Sequence, residues 1–332
     1  MLKCWQALLL LLFGIISTQC QNINYFGVAF SPYVRSDNAA WSSYTVEDLK
    51  KMLRILLTKH NAVATYSMGV DGWTLSKPWD QANSNCIIAR AASQINKERQ
   101  SVVLSVAQGI FQSDNPAIQA AEINNAFLAA QEANQIWRGT VWGLVFTNEY
   151  VNQQNGQKVL DMIRSNKNRA NSMGLRVGTR IQICGEIWNG PNQQILIQIA
   201  QASDYIMCNL YPAHNSDNAD RAVKGISDAY YSARDGFWRH NPKLEVMIGE
   251  TGWASEGQTF FNPPRLNTIQ NLNNFWNAMR NWASSNRVKV YMFEGFDEPF
   301  KGPSGEKSFG WWKRAPDNSN YYIEKTTGRR FD

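Results

Sequence analysis

The sequence predicts a single-domain (β/α)8 TIM barrel of the α/β class, and three observations carry that expectation. Eight short, β-branched apolar runs alternate with stretches of helical periodicity. The runs are nearly continuously apolar, as strands covered on both faces of a parallel sheet must be. No glycine-rich phosphate loop follows the first strand, which disfavours an open doubly wound sheet.

Taken in order, residues 1–20, MLKCWQALLLLLFGIISTQC, have the layout of a secretory signal: Lys3 at the start, an apolar stretch over 7–16, and Thr18 and Cys20 before the exit. That apolar run is shorter than the ~20 residues needed to span a bilayer, so secretion rather than anchoring is expected. Residues 21–332 then form the catalytic domain. Strands are predicted at 26–30, 62–67, 101–108, 141–149, 176–184, 204–211, 244–250 and 288–296. Between them, segments such as TVEDLKKMLRILLTKH and TIQNLNNFWNAMRNWA read as amphipathic helices.

The organising stretch is KLEVMIGETGWAS, a buried strand that delivers Glu250 to its end. VWGLVFTNEY repeats the pattern with Asn148 and Glu149. In a parallel barrel the strand C-terminal ends share one face, so two carboxyl groups 101 residues apart can meet across a cleft. Two such carboxyls are the equipment of a glycosidase. The other strand ends add Tyr33, Tyr66, Glu186, Trp188, Asn209, Tyr211 and Trp253, and the eighth gives FEGFDEPFK with Glu294, Asp297, Glu298 and Lys301. Aromatic faces with amides and carboxylates are a mixture that binds sugars.

Composition narrows the partners. The net charge is +6 with 44% hydrophobic residues, and the basic residues are scattered, so neither nucleic acid nor membrane is an expected partner. Three histidines at no ligand spacing call for no metal or cofactor. Beyond the signal, Cys86, Cys184 and Cys208 show no C-x-x-C spacing; Cys184 and Cys208 end neighbouring strands and are left open between a disulfide and buried thiols.

The motifs TNE, IGETGWAS and FEGFDEPFKGPSGEKSFG resemble the signatures of glycoside hydrolase family 17, the β-1,3-glucanases and related glucanosyltransferases. The resemblance runs from about residue 26 to about 325 and includes CNLYP at 208–212. It implies a retaining mechanism on a β-1,3-linked glucan; with the signal-like segment, the expected protein is a secreted, monomeric endo-β-1,3-glucanase (glucan endo-1,3-β-D-glucosidase type), the alternatives being a β-1,3-glucanosyltransferase or a non-catalytic β-glucan-binding protein on the same scaffold. Glu149 corresponds to the acid/base, Glu250 to the nucleophile, Asn148 to a ligand of the sugar 2-hydroxyl, and Glu298, Lys301 and Glu306 to a supporting polar cluster in which Lys301 keeps its carboxylates ionised. Two departures stand out: Thr65 precedes Tyr66 where the family usually has Arg, and Ala254 stands where Pro is common. The FDEPFK wording is nearer the branch that includes transglycosylases, which leaves hydrolysis and transfer both open.

Overall fold

The computed structural model describes residues 26–35, 44–213, 216–302, 304–316 and 321–332; the expected signal lies outside them. Eight parallel strands close into a barrel in sequence order: β1 (Phe26–Ala29), β2 (Ala62–Ala64), β3 (Ser105–Ile110), β4 (Val141–Asn148), β5 (Arg176–Ile181), β6 (Tyr205–Asn209), β7 (Glu245–Thr251) and β8 (Val290–Met292). Closure comes from β1 pairing with β8, Phe26 opposite Val290 and Val28 opposite Met292.

Helices return the chain outside the barrel: α1 (Val46–Leu56), the short α2 (Trp79–Ala82), α3 (Ile88–Arg99), α4 (Pro116–Ile136), α5 (Gly156–Ser172), α6 (Gln193–Ala202), α7 (Ala219–Trp238) and α8 (Ile269–Asn286). Their starts follow from local chemistry. Thr45 and Asp48 form a reciprocal capping box on α1. Asn115 caps α4 ahead of Pro116, whose missing N–H belongs at that first position. Asn218 and Thr268 cap α7 and α8 in the same way. Among the described residues no helix is long and apolar enough to cross a membrane.

Several strands are shorter than predicted: β2 ends at Ala64 rather than residue 67, β5 at Ile181 rather than 184 and β6 at Asn209 rather than 211, and for β3 and β8 the cause is local. β3 starts at Ser105 rather than residue 101 because the Asn96 carboxamide takes the Val103 and Leu104 amides and the Leu104 carbonyl, holding that stretch off the sheet. β8 stops at Met292 because the following backbone pairs with a later loop: Glu294 N donates to Phe309 O, and Trp311 N donates to Glu294 O.

The core has two parts. The larger lies between barrel and helices and includes Leu53, Ile163 and Phe275. The smaller fills the barrel itself, where Ala62, Ala64 and Ala107 leave room for Tyr205, Met207, Met247 and Tyr291. After β8 the chain forms a three-stranded antiparallel sheet, β9 (Trp312–Arg314), β10 (Tyr322–Glu324) and β11 (Arg330–Phe331). Two ionic contacts bind this sheet to the barrel. Glu324 pairs with Lys59 (2.9 Å), and the buried Lys325 Nζ reaches Asp297 Oδ1 and Ser255 Oγ, both at 2.8 Å. Cys184 and Cys208 are joined in a disulfide with Cα atoms 5.9 Å apart, tying the turn after β5 to the end of β6; Cys86 is a buried free thiol.

Candidate active site

A cleft of about 740 Å3 opens at the C-terminal ends of the strands, and Glu149 and Glu250 both line it. Glu149 follows β4 through a distorted strand end. The register with β5 slips between Val145 and Asn148, and Thr147 and Glu149 take φ of 65° and 54°. A β-branched threonine in the left-handed region costs on the order of 1–3 kcal/mol, which the surrounding bonds must hold. Those bonds are present: Glu149 N donates to Arg180 O (3.0 Å), and the Thr147 and Thr179 hydroxyls are 3.2 Å apart. The kink gives Asn148 and Glu149, adjacent in sequence, access to the same cleft.

Each carboxylate has its own donors. Asn209 Nδ2 donates to Glu149 Oε1 (2.7 Å) and lies 3.3 Å from Asn148 Oδ1. Tyr211 OH donates to Glu250 Oε2 (2.9 Å), and Arg180 Nη1 pairs with Glu250 Oε1 at 3.3 Å. Asn209 stands opposite Glu250 in the β6–β7 register, so one strand end serves both acids. The intervening Gly249 is required by packing: a Cβ there would lie 2.6 Å from Met207 Cβ and 3.0 Å from both Arg180 Cγ and Asn209 Oδ1.

Burial raises the Glu250 carboxyl above its ordinary range; the Arg180 guanidinium opposes that shift and the charge of Glu149 reinforces it. Tyr66 completes the setting. Arg180 stacks over its ring at 4.6 Å, and its buried hydroxyl has no well-aligned hydrogen bond, although it lies near enough to Glu250 to favour the ionised acid.

The cluster on the chain after β8 differs from the expected one. Lys301 Nζ is bound by Glu294 Oε2 (2.7 Å) and Glu298 Oε2 (2.6 Å), so Glu294 rather than Glu306 completes the ion pairs. Glu306 also lines the cleft, raised by burial. Burial pushes Glu294 far up, with the charge of Glu298 adding to the shift; burial also raises Glu298, against Lys301 and a hydrogen bond with Glu294. Lys301 favours the ionised form of both carboxyls, and their burial opposes it.

The remaining predicted residues divide in two. Tyr33 and Tyr66 line the cleft beside Asn148, Tyr211, Glu298 and Lys301, and Asn85 Nδ2 donates to Tyr33 OH (2.5 Å). Glu186, Trp188 and Trp253 do not line it. Glu186 Oε2 accepts from Asn192 N and Nδ2 (3.1 and 2.8 Å) and fixes the entry to α6. Trp188 donates to Ser232 O (3.0 Å) and packs under Arg239. Trp253 is fully buried against Phe275 and donates to Leu266 O (2.9 Å).

The sequence reading missed Arg180 and the phenylalanines of the cleft wall. Phe293 and Phe309 meet edge to face, and Phe261 stacks on Tyr211 at 4.4 Å. Phe260 and Phe300 stand exposed at the rim. Arg180 did carry a signal, because an arginine inside the apolar run RVGTRIQIC is unfavourable to bury without a partner. Among the described residues, no group of acidic, histidine or cysteine side chains is arranged to hold a metal ion.

A family model for the BtgE/BtgC glycoside hydrolase domain matches residues 27–312. The chain belongs to this glycoside hydrolase family. Membership agrees with the resemblance to family 17 carried by its motifs. Among solved structures, it is similar to an endo-laminarinase from Formosa Hel1_33_131, with 19% identity and a TM-score of 0.66 over 87% of this chain and 83% of that one. It is also similar to a glycoside hydrolase family 17 β-1,3-glucanosyltransferase from Rhizomucor miehei, with 19% identity and a TM-score of 0.63 over 90% and 98% of the two chains. A plant β-glucan endohydrolase follows at 13% identity and a TM-score of 0.53 over 86% and 95%. At such identities the likeness is one of fold. No curated protein matches the sequence.

Proposed function

We propose that the protein is a secreted, retaining endo-β-1,3-glucanase. The observation that carries this reading is the pair Glu149 and Glu250 in one aromatic-walled cleft, each held by a separate donor set. Glu250, which pairs with Arg180 and accepts from Tyr211, attacks the anomeric carbon in its ionised form. Glu149, oriented by Asn209, protonates the departing oxygen and then takes the proton of the incoming water. The substrate class is supported by the family, by the motifs shared with β-1,3-glucanases and by a cleft suited to sugar rings. Secretion rests on the signal-like residues 1–20.

The glucanosyltransferase reading is favoured by the FDEPFK wording and stands as the alternative, in which a sugar hydroxyl replaces water. Mass spectrometry of products from a defined β-1,3-gluco-oligosaccharide tests both: shorter products alone indicate hydrolysis, and early products longer than the substrate indicate transfer. Glu250→Gln should lower turnover by at least about 10^3-fold while glucan binding persists. No turnover of β-1,3- or mixed-linkage glucan by the wild type would overturn the proposal.

A further inference from the structure

Seven large hydrophobic side chains are exposed among the described residues, and five of them stand on loops that follow barrel strands: Trp73 and Leu75 after β2, Phe111 after β3, Phe260 after β7 and Phe300 after β8. The other two, Trp238 and Ile269, lie on α7 and α8. Singly scattered hydrophobics are ordinary on a surface, whereas a group that shares one face marks an interaction site. In the closed barrel β7, β8, β1, β2 and β3 are consecutive neighbours, so the five trace one arc of the rim. Phe111, Phe260 and Phe300 also line the cleft; Trp73 and Leu75 do not, and follow the wall residues Val70 and Asp71 outward along the chain.

Trp73 is the most exposed of them, at 88%, yet its backbone is held in a formed turn. Asp71 Oδ1 accepts from Trp73 N and Thr74 N (both 2.8 Å), and Asp71 N donates to Thr74 Oγ1 (2.8 Å). Below the turn, Met68 N and Val70 N donate to the buried Glu122 side chain (2.8 and 3.1 Å), and Gly69, at a φ of 70°, packs so closely that a Cβ there would collide with the Asn83 side chain. Beside the indole, a Cβ at Gly72 would meet nothing within 4 Å, so the space next to it is open. A large ring presented by a pre-formed turn loses less freedom on binding than one on a mobile loop.

Resting on the β-1,3-glucan reading above, we infer that this arc, led by Trp73, is a docking surface for solid β-1,3-glucan, outside the cleft that cleaves a single chain. The side chains border the mouth through which a chain must pass to reach Glu149 and Glu250, so what meets them is material continuous with that chain. Pyranose rings offer C–H faces to aromatic rings, and chains packed side by side offer many such faces at once. Asp71 turns a carboxylate oxygen to its own amides, so the turn presents a ring rather than a charge, as an uncharged polymer requires. The surface holds the enzyme on the solid, and the cleft then works on chains drawn from it.

The test measures adsorption to insoluble β-1,3-glucan particles, to microcrystalline cellulose and to phosphatidylcholine vesicles by sedimentation, with Glu250→Gln as the parent so that the solid is not consumed. The parent should adsorb to the β-1,3-glucan well above cellulose or vesicles, and adding Trp73→Ala should raise its apparent Kd for the particles about ten-fold, the loss of one modest contact. Turnover of soluble laminaritriose by Trp73→Ala in the otherwise wild-type chain reports that the fold and the cleft survive. An affinity for the particles unchanged by Trp73→Ala overturns the docking surface and leaves the glucanase reading standing; so does equal adsorption to cellulose, and preference for vesicles replaces the glucan by a lipid surface. No turnover of laminaritriose or of the particles by the wild type overturns the glucanase reading, while the adsorption comparison still decides the surface.

Discussion

Arg180 is the residue on which the electrostatics of the cleft turn. It is fully buried, and its one ionic partner among the described residues is Glu250, with Tyr66 beneath its guanidinium. An arginine in the interior is tolerated only with such compensation. The resemblance to family 17 leads to an arginine being expected before Tyr66; Thr65 stands there and bonds the Gln108 side chain and the Gly109 amide (3.0 and 2.8 Å), while a guanidinium from β5 lies against Glu250. Since Arg180 lowers a Glu250 carboxyl that burial raises, its removal lets that carboxyl rise further. In the proposed mechanism activity needs the ionised form, present only above that pKa. Arg180→Met should accordingly move the acid limb of kcat/KM upward by about one pH unit or more. An unmoved limb in a folded variant would remove Arg180 from the proton balance. Gly249→Ala is expected to act on the same site through packing, lowering kcat by crowding Arg180 and Asn209.

At the scale of elements, the loops that wall the cleft are held by an acid outside it. Glu122 on α4 is buried, with Oε1 accepting from Met68 N (2.8 Å) and Phe111 N (3.1 Å) and Oε2 from Val70 N (3.1 Å). The loops after β2 and β3 are thus pinned to one helix. Burial outweighs these donors and raises the carboxyl from 4.5 to about 7. A carboxyl raised on folding contributes stability that is fully present below about 4.5 and lost as pH rises through about 7. Glu122→Gln does not titrate. Between pH 4.5 and 8 the variant should gain on the wild type by about 3 kcal/mol in urea unfolding. A pH-independent difference would mean that the three amides keep Glu122 ionised despite its burial.

Over the whole molecule, the disulfide and the C-terminal sheet fasten the barrel around its site. Cys208 immediately precedes Asn209, the donor to Glu149, so the bond to Cys184 secures that strand end. It closes a loop with a sequence separation of 24, and its loss should destabilise the protein by about 3 kcal/mol in the chain-entropy account. A Cys184→Ala, Cys208→Ala variant unfolding at the wild-type denaturant midpoint would show that the neighbouring packing suffices. The terminal sheet acts on the opposite side. Lys325 is nearly fully buried against Asp297, and Lys325→Met should cost about 3–5 kcal/mol by leaving that carboxylate unpaired. Guanidinium unfolding of the variant at neutral pH checks this, and an unchanged midpoint would count against the ion pair as a fastening.

Much of the architecture was determined by sequence alone, because strand and helix periods are local properties: near-continuous apolar runs such as VWGLVFT and LEVMIG could be buried only in a parallel sheet. Glu149 and Glu250 were legible for the same reason, each closing such a run. What surrounds them was decided by tertiary structure. Trp253 follows Glu250 by three residues yet turns into the core, whereas Arg180, 70 residues away, reaches its carboxylate. Chain spacing says which residues reach the end of a strand. Which way a loop side chain turns, whether Glu294 or Glu306 meets Lys301, and whether Cys184 meets Cys208 depend on distances across the closed barrel, which exist only once all eight strands are in place.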